Sequence, residues 1–327
     1  MPWPSQGRKK TETKTCYLLF DFSFPMYSRN TILELLKPEQ AKYEEEEHDQ
    51  GGGEGGGKKA ADNWHLLYRL DRMVAGLLVF SRSARLAAAV QSLMKGNKID
   101  KYYLALVSTS SSSSSSSNKL HREFGSECDD GVLCVNERLG YDSSTHVAFT
   151  ASEAEGRKTK GKGKHLKSAV TLFKLVRAYD DHALVMCMPV SGRTHQIRIH
   201  LREAGFPIVN DKMYGGRMPK EGFTHVLQAP EGVELLKDLK VGDFGWTCEG
   251  FCPTCPSIAP TRYQPHFEMV YLFCWKYSVT DEQALAELDV TQGGAWEYSC
   301  PLPQWVDCQA ERLEEASLSL KRCKQTL

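Results

Sequence analysis

The chain alternates between apolar segments of recognisable period and long polar interruptions. Residues 76–80 (GLLVF) form a short continuous apolar run, the pattern of a buried strand. Ser83 is placed to cap a helix over ARLAAAVQSLMK, in which Leu86, Val90, Leu93 and Met94 recur at helical spacing and after which Gly96 ends the pattern. Residues 102–107 (YYLALV) read as a second strand, so strand, helix and strand follow one another within about thirty residues. Further on, residues 169–177 and 182–190 read as a strand pair joined near Asp180 and Asp181. Thr194 is placed to cap a helix over HQIRIHLREA, closed by Gly205 and Pro207. In that helix Ile197, Leu201 and Ala204 share one face, and His195, Arg198 and Arg202 share another. Near the C-terminus Asp307 opens a helix with Glu311, Glu314 and Glu315 early and Lys321 and Arg322 late, the order the helix dipole favours. The mixture is α+β.

Three stretches break this pattern and read as loop insertions: 44–59 (EEEEHDQGGGEGGGKK), the serine tract at 108–118, and the Gly/Lys-rich 153–167. The 327 residues allow one large domain or two ordinary ones, and 41% hydrophobic content supplies a core. No apolar run reaches the roughly 18 residues of a membrane span. The first fifteen residues lack the apolar stretch of a secretory signal. Eleven cysteines at irregular spacing read as reduced thiols of an intracellular protein.

Net charge is zero, but it is segregated. Residues 157–202 hold eleven Lys/Arg against two acids, whereas 231–310 hold four against twelve, so a basic strip for a polyanion survives on a neutral chain. Asp71 stands between Arg69 and Arg72 in YRLDR, a setting expected to hold a carboxylate ionised and in place. Residues 192–200 (GRTHQIRIH) add two guanidinium and two imidazole groups.

Taken together, YRLDRMVAGLLVFSRS (68–83), KYYLALV (101–107) and GRTHQIRIHLREAGFPIVNDKMYG (192–215) resemble, in order and spacing, the signature blocks of the RluA-type RNA pseudouridine synthases, and SRNTILELL (28–36) resembles the segment leading to the first block. The resemblance implies a pseudouridine synthase fold: a mixed, largely antiparallel central sheet with flanking helices and an RNA-binding cleft. It implies an isomerase that detaches uracil from the ribose C1′ and reattaches it through C5, without cofactor or metal. By motif, Asp71 is the catalytic aspartate and nucleophile, whether toward the sugar, toward the base or as a base on the sugar. Arg198 matches the arginine that pairs with it, and Tyr103 the tyrosine that stacks on the target uracil. Arg69 matches the arginine that replaces the flipped nucleotide, and Arg72, Arg193, His195 and Lys212 join it as RNA contacts. Tyr68 departs from the family pattern, which has histidine there.

On this reading 1–24 is an N-terminal tail, 25–240 the catalytic domain and 241–327 a C-terminal extension with a terminal helix. The extension, with Cys252 and Cys255 in a CxxC and the stretch YLFCWKYS, is similar to that of the eukaryotic branch related to the fungal riboflavin-pathway deaminase/tRNA pseudouridine synthase. That likeness implies tRNA in its anticodon-stem region as the partner, with rRNA as the alternative. A monomer acting away from membranes and a cytoplasmic or mitochondrial location are the further expectations. A zinc nucleoside deaminase is excluded: His121 and Glu123 form an H-x-E, but it lies far from Cys252, which follows Phe251 rather than proline. A protein of the same fold that binds RNA without turning it over is the remaining rival, although Asp71 and Arg198 are both retained.

Overall fold

The computed structural model describes residues 16–19, 65–71, 73–81, 83–109, 124, 131–156, 166–179, 181–216, 270–279, 281–288, 296–303 and 305–327. Arg72, Asp180, Cys252, Cys255, the segment 28–36, the insertion at 44–59 and most of those at 108–118 and 153–167 lie outside these residues.

The elements run β1 (Cys16–Leu19), β2 (His65–Leu66), β3 (Ala75–Gly76), β4 (Leu78–Ser81), α1 (Ala84–Lys95), β5 (Asp100–Ser108), β6 (Val132–Asp142) and β7 (Val147–Thr150). They continue with α2 (Ala151–Gly156), β8 (Lys167–Ala178), β9 (His182–Pro189), α3 (Gln196–Glu203), a 3-10 turn (Lys212–Tyr214), β10 (Leu272–Val279), α4 (Glu282–Glu287), β11 (Trp296–Ser299) and α5 (Ala310–Gln325). Among the described residues, one sheet has the order β11-β10-β5-β9-β8-β6-β7, antiparallel throughout, with β3 added in parallel to β10. A smaller antiparallel sheet has the order β1-β4-β2. The architecture is therefore mixed and mostly antiparallel, as the family resemblance implies. No described helix is long and apolar enough to cross a membrane.

Strands β5 and β9 lie in the middle of the large sheet and are covered on both faces, which is why YYLALV reads as a continuous run rather than an alternating one. Leu104, Leu184 and Met186 enter a core with Val90 and Leu93 of α1 and Leu313 and Leu320 of α5. Ala105, Val107, Val185 and Cys187 enter a second core with Ile197 and Leu201 of α3 and Phe206, Ile208 and Val209 beyond it. Strand β10 lies between β5 and β11, so the large sheet is continuous across residue 240.

Local chemistry explains most element ends. Ser83 caps α1 by accepting from the Leu86 amide at 3.2 Å. The helix ends at Lys95, but the left-handed residue is Asn97 (φ 56°) and not Gly96. Three expectations need correction. The run 76–80 is not one strand: the chain bends at Gly76 (φ 121°), so Ala75–Gly76 pairs with β10 while Leu78–Ser81 pairs with β1 and β2. Thr194 does not cap α3; His195 occupies the cap in a left-handed conformation, and the Gln196 side chain accepts from the Arg193 amide at 3.0 Å instead. Asp307 does not open α5, which begins after Gln309; its carboxylate accepts from Arg177 at 2.8 Å.

Candidate active site

Asp71 follows β2 on a turn closed by the Val74 amide donating to the Asp71 carbonyl at 3.0 Å. The far side of this loop is fastened to the C-terminal part of the chain. Val270 donates to the Met73 carbonyl at 3.2 Å, Leu77 donates to the Cys274 carbonyl at 2.8 Å, and β3 runs alongside Phe273 and Cys274. The approach is so close that a Cβ on Gly76 would overlap the Cys274 carbonyl, so only glycine serves there.

The Asp71 carboxyl is enclosed by protein yet keeps partial access to solvent. Burial pushes its pKa above the ordinary carboxylate value; the Arg198 charge opposes that rise and the Asp211 charge adds to it. Of the flanking arginines, Arg69 is exposed and Arg72 lies outside the described residues; among the described residues the cation acting on Asp71 is Arg198 of α3.

Arg198 is 2% exposed. Its Nε donates to Asp211 Oδ2 at 2.7 Å and its Nη2 to Asp211 Oδ1 at 2.8 Å, a fork-to-fork pairing of the kind a planar guanidinium favours. The guanidinium also lies over the Tyr214 ring, 4.9 Å from its centroid. Burial works against the charge of Arg198, but the bonds to Asp211 outweigh it and raise the pKa further. Arg198 thus stays charged without using Asp71 as its bonded partner; the pairing expected from the resemblance is a through-space one in this structure.

Tyr214 links the pair to the rim. Its hydroxyl accepts from the Ala148 amide at 2.9 Å and lies 2.8 Å from His195 Nδ1. Burial, with Arg198 adding to it, pushes the His195 pKa down to about 3, so the ring is neutral at physiological pH. Arg193 and Lys212 are exposed, with Arg193 Nε donating to the Ser168 carbonyl at 3.1 Å. Tyr103 projects from β5 near Asp71, whose charge helps to raise the already burial-raised pKa of this phenol. Asp71, Arg198 and Tyr103 therefore converge from a loop, a helix and a strand, with Arg193, His195 and Lys212 on the side of α3.

Sequence reasoning missed Asp211, Tyr214 and Tyr277. The first two stand inside the 192–215 block, where a carboxylate thirteen residues after Arg198 was the available signal. Buried scaffolding holds α3: Gln196 Nε2 donates to the Val170 carbonyl and to Thr171 Oγ1, each at 2.9 Å. His200, which burial pushes down to about 4, lies 2.8 Å from the same Thr171 hydroxyl. Arg198 belongs by sequence to the basic stretch 157–202, but its burial removes it from any surface strip.

Residues 38–203 match the family model described as RNA pseudouridylate synthase. The chain belongs to the RNA pseudouridylate synthase family. Among its relatives, RNA pseudouridine synthase 7 of Arabidopsis thaliana is 30% identical over 248 residues, covering 73% of this chain and 53% of the relative. The tRNA pseudouridine(31) synthase of Saccharomyces cerevisiae is 28% identical over 260 residues, covering 73% of this chain and 58% of the relative. The chain spans little more than half the length of these relatives. The solved structure of Human RNA Pseudouridylate Synthase Domain Containing 1 shares the fold, with a TM-score of 0.50 at 15% identity over 93% of this chain and 91% of that one. The RluA-type signature read from the three blocks and the α+β architecture are both borne out.

Proposed function

We propose that this member of the RNA pseudouridylate synthase family isomerises uridine to pseudouridine, with Asp71 as the nucleophile. The observation that carries this reading is a carboxylate that is enclosed, spent on no ion pair among the described residues, and held in the field of a buried arginine already committed elsewhere. Such a carboxylate can form and release a bond to the nucleotide without first breaking one of its own. Over the cycle the N1–C1′ bond breaks, a C5–C1′ bond forms, and the C5 proton leaves while N1 gains one. Asp71 is regenerated. Arg198 keeps it anionic against burial, and Tyr103 offers its ring to the extruded base. Arg69, Arg193 and Lys212 are exposed cations suited to the phosphates around the extruded nucleotide.

For substrate we propose tRNA in its anticodon-stem region. The yeast relative, whose printed name is tRNA pseudouridine(31) synthase, supports this, as does the likeness of the Cys252/Cys255 CxxC and YLFCWKYS (271–278) to the extension of the eukaryotic branch related to the fungal riboflavin-pathway deaminase/tRNA pseudouridine synthase. The test is a pseudouridine map of total tRNA and rRNA after incubation with the purified protein and, in parallel, with Asp71→Ala. New pseudouridine in tRNA with the wild type alone is expected. Product in rRNA only would reassign the substrate, and RNA binding without product from either would leave a silent RNA-binding protein.

A further inference from the structure

Strand β10 lies beyond the residues matched by the family model, yet it brings a side chain into the site. Tyr277 is 1% exposed, and its hydroxyl lies 3.2 Å from that of Tyr103. Its ring centroid is 4.2 Å from that of Tyr68, at 30°. Tyr68 is itself anchored, its hydroxyl donating to the Leu77 carbonyl at 2.9 Å, just past the loop that carries Asp71. The register of β10 against β5 shifts between Cys274 and Lys276, so the placement of Tyr277 beside Tyr103 depends on a local irregularity and not on the regular ladder.

We propose that Tyr277 is a positioning residue for the reaction: through its hydroxyl bond it fixes the orientation of Tyr103, with Tyr68 as the ring that holds Tyr277 in turn. This rests on the reading of Asp71 and Tyr103 given above. Tyr103 is partly exposed whereas Tyr277 is buried, so the bond ties the Tyr103 hydroxyl to a fixed group on β10. Burial raises all three phenols well above their ordinary values and pushes the neighbouring Cys274 thiol up to about 12. The cluster is therefore neutral, and its contribution is orientation through neutral hydrogen bonds. Small displacements of a group that holds substrate cost turnover more than binding.

The experiment is a double-mutant cycle on a substrate RNA stem-loop with Tyr277→Phe, Tyr103→Phe and the pair. Tyr277→Phe keeps the ring that packs on Tyr68, and a urea transition that remains single and cooperative would verify that the fold persists. The expected result is a fall in kcat of about 10- to 100-fold with KM little changed, and no further loss when Tyr277→Phe is added to Tyr103→Phe. Independent, multiplying losses, or a rise in KM alone, would overturn the proposal. A second measurement needs no turnover: 3-fluorotyrosine at position 103 should shift its fluorine resonance on Tyr277→Phe, and an unmoved resonance would remove the contact itself. A wild type that makes no pseudouridine overturns the reading of the site and the role with it, which is distinct from an active wild type indifferent to Tyr277→Phe.

Discussion

Arg198 gives both arms of its guanidinium to Asp211 and, among the described residues, makes no bond to Asp71. The division of labour is physical. A buried arginine needs a bonded counter-ion to remain charged, and a nucleophilic carboxylate needs a cation nearby that does not occupy its oxygens. Asp211 satisfies the arginine, which leaves Asp71 unbonded to it, as the nucleophilic role proposed for Asp71 requires.

Asp71→Asn should therefore abolish turnover and raise stability. The folded pKa of Asp71 is raised, mainly by burial, so the ionised group is a burden to the folded state above that pKa. As pH falls through the folded value, Asp71 takes up its proton in the folded state first, and the wild type recovers the difference. Melting temperatures of wild type and Asp71→Asn should differ most at neutral pH and converge on acidification. Equal values at neutral pH would show that Asp71 carries no such burden. The rate should fall with the acid limb of the same titration.

Asp211→Asn acts on both groups. It removes the bonded partner of a buried cation, a change that costs up to about 3–5 kcal/mol, less whatever Arg198 regains by turning to Asp71. It also removes a negative charge that raises the Asp71 pKa. The acid limb of the pH–rate profile should move to lower pH, and urea unfolding should report the lost stability. A profile that keeps its position would mean Asp211 does not act on Asp71.

Gly76→Ala should separate the Asp71 loop from β10. The added Cβ overlaps the Cys274 carbonyl, and a φ of 121° is strained for alanine by about 1–3 kcal/mol even before that overlap. Turnover should drop together with the urea midpoint. A fully active, fully stable variant would contradict the fastening of this loop by the C-terminal strand.

Tyr214→Phe orphans the buried Ala148 amide, a loss of about 1–3 kcal/mol, and removes the bond to His195. Thermal unfolding should register it, while RNA affinity should change little. By contrast, Arg193→Ala and Lys212→Ala should leave stability intact and weaken RNA binding, each reducing the slope of log affinity against log salt by about 1. A slope unchanged in both variants would take them off the phosphate contacts.

Much of this protein was legible along the chain. The periods of 84–95, 102–107 and 169–190 place strands and a helix where the structure has them, because burial on one or both sides imposes its period on the sequence itself. The blocks around Asp71, Tyr103 and Arg198 were legible because each is a short contiguous stretch whose residue types and spacing stand in the chain itself. The register between elements was not legible. That Gly76 turns one apolar run into two strands of different sheets, that Asp211 and not Asp71 takes the fork of Arg198, and that Tyr277 meets Tyr103 across 174 residues are all decided by packing distant segments together. Local sequence determines which side chains exist and which way each element faces; only the tertiary structure, through mutual burial, decides which of them share a charge, a hydroxyl or a wall.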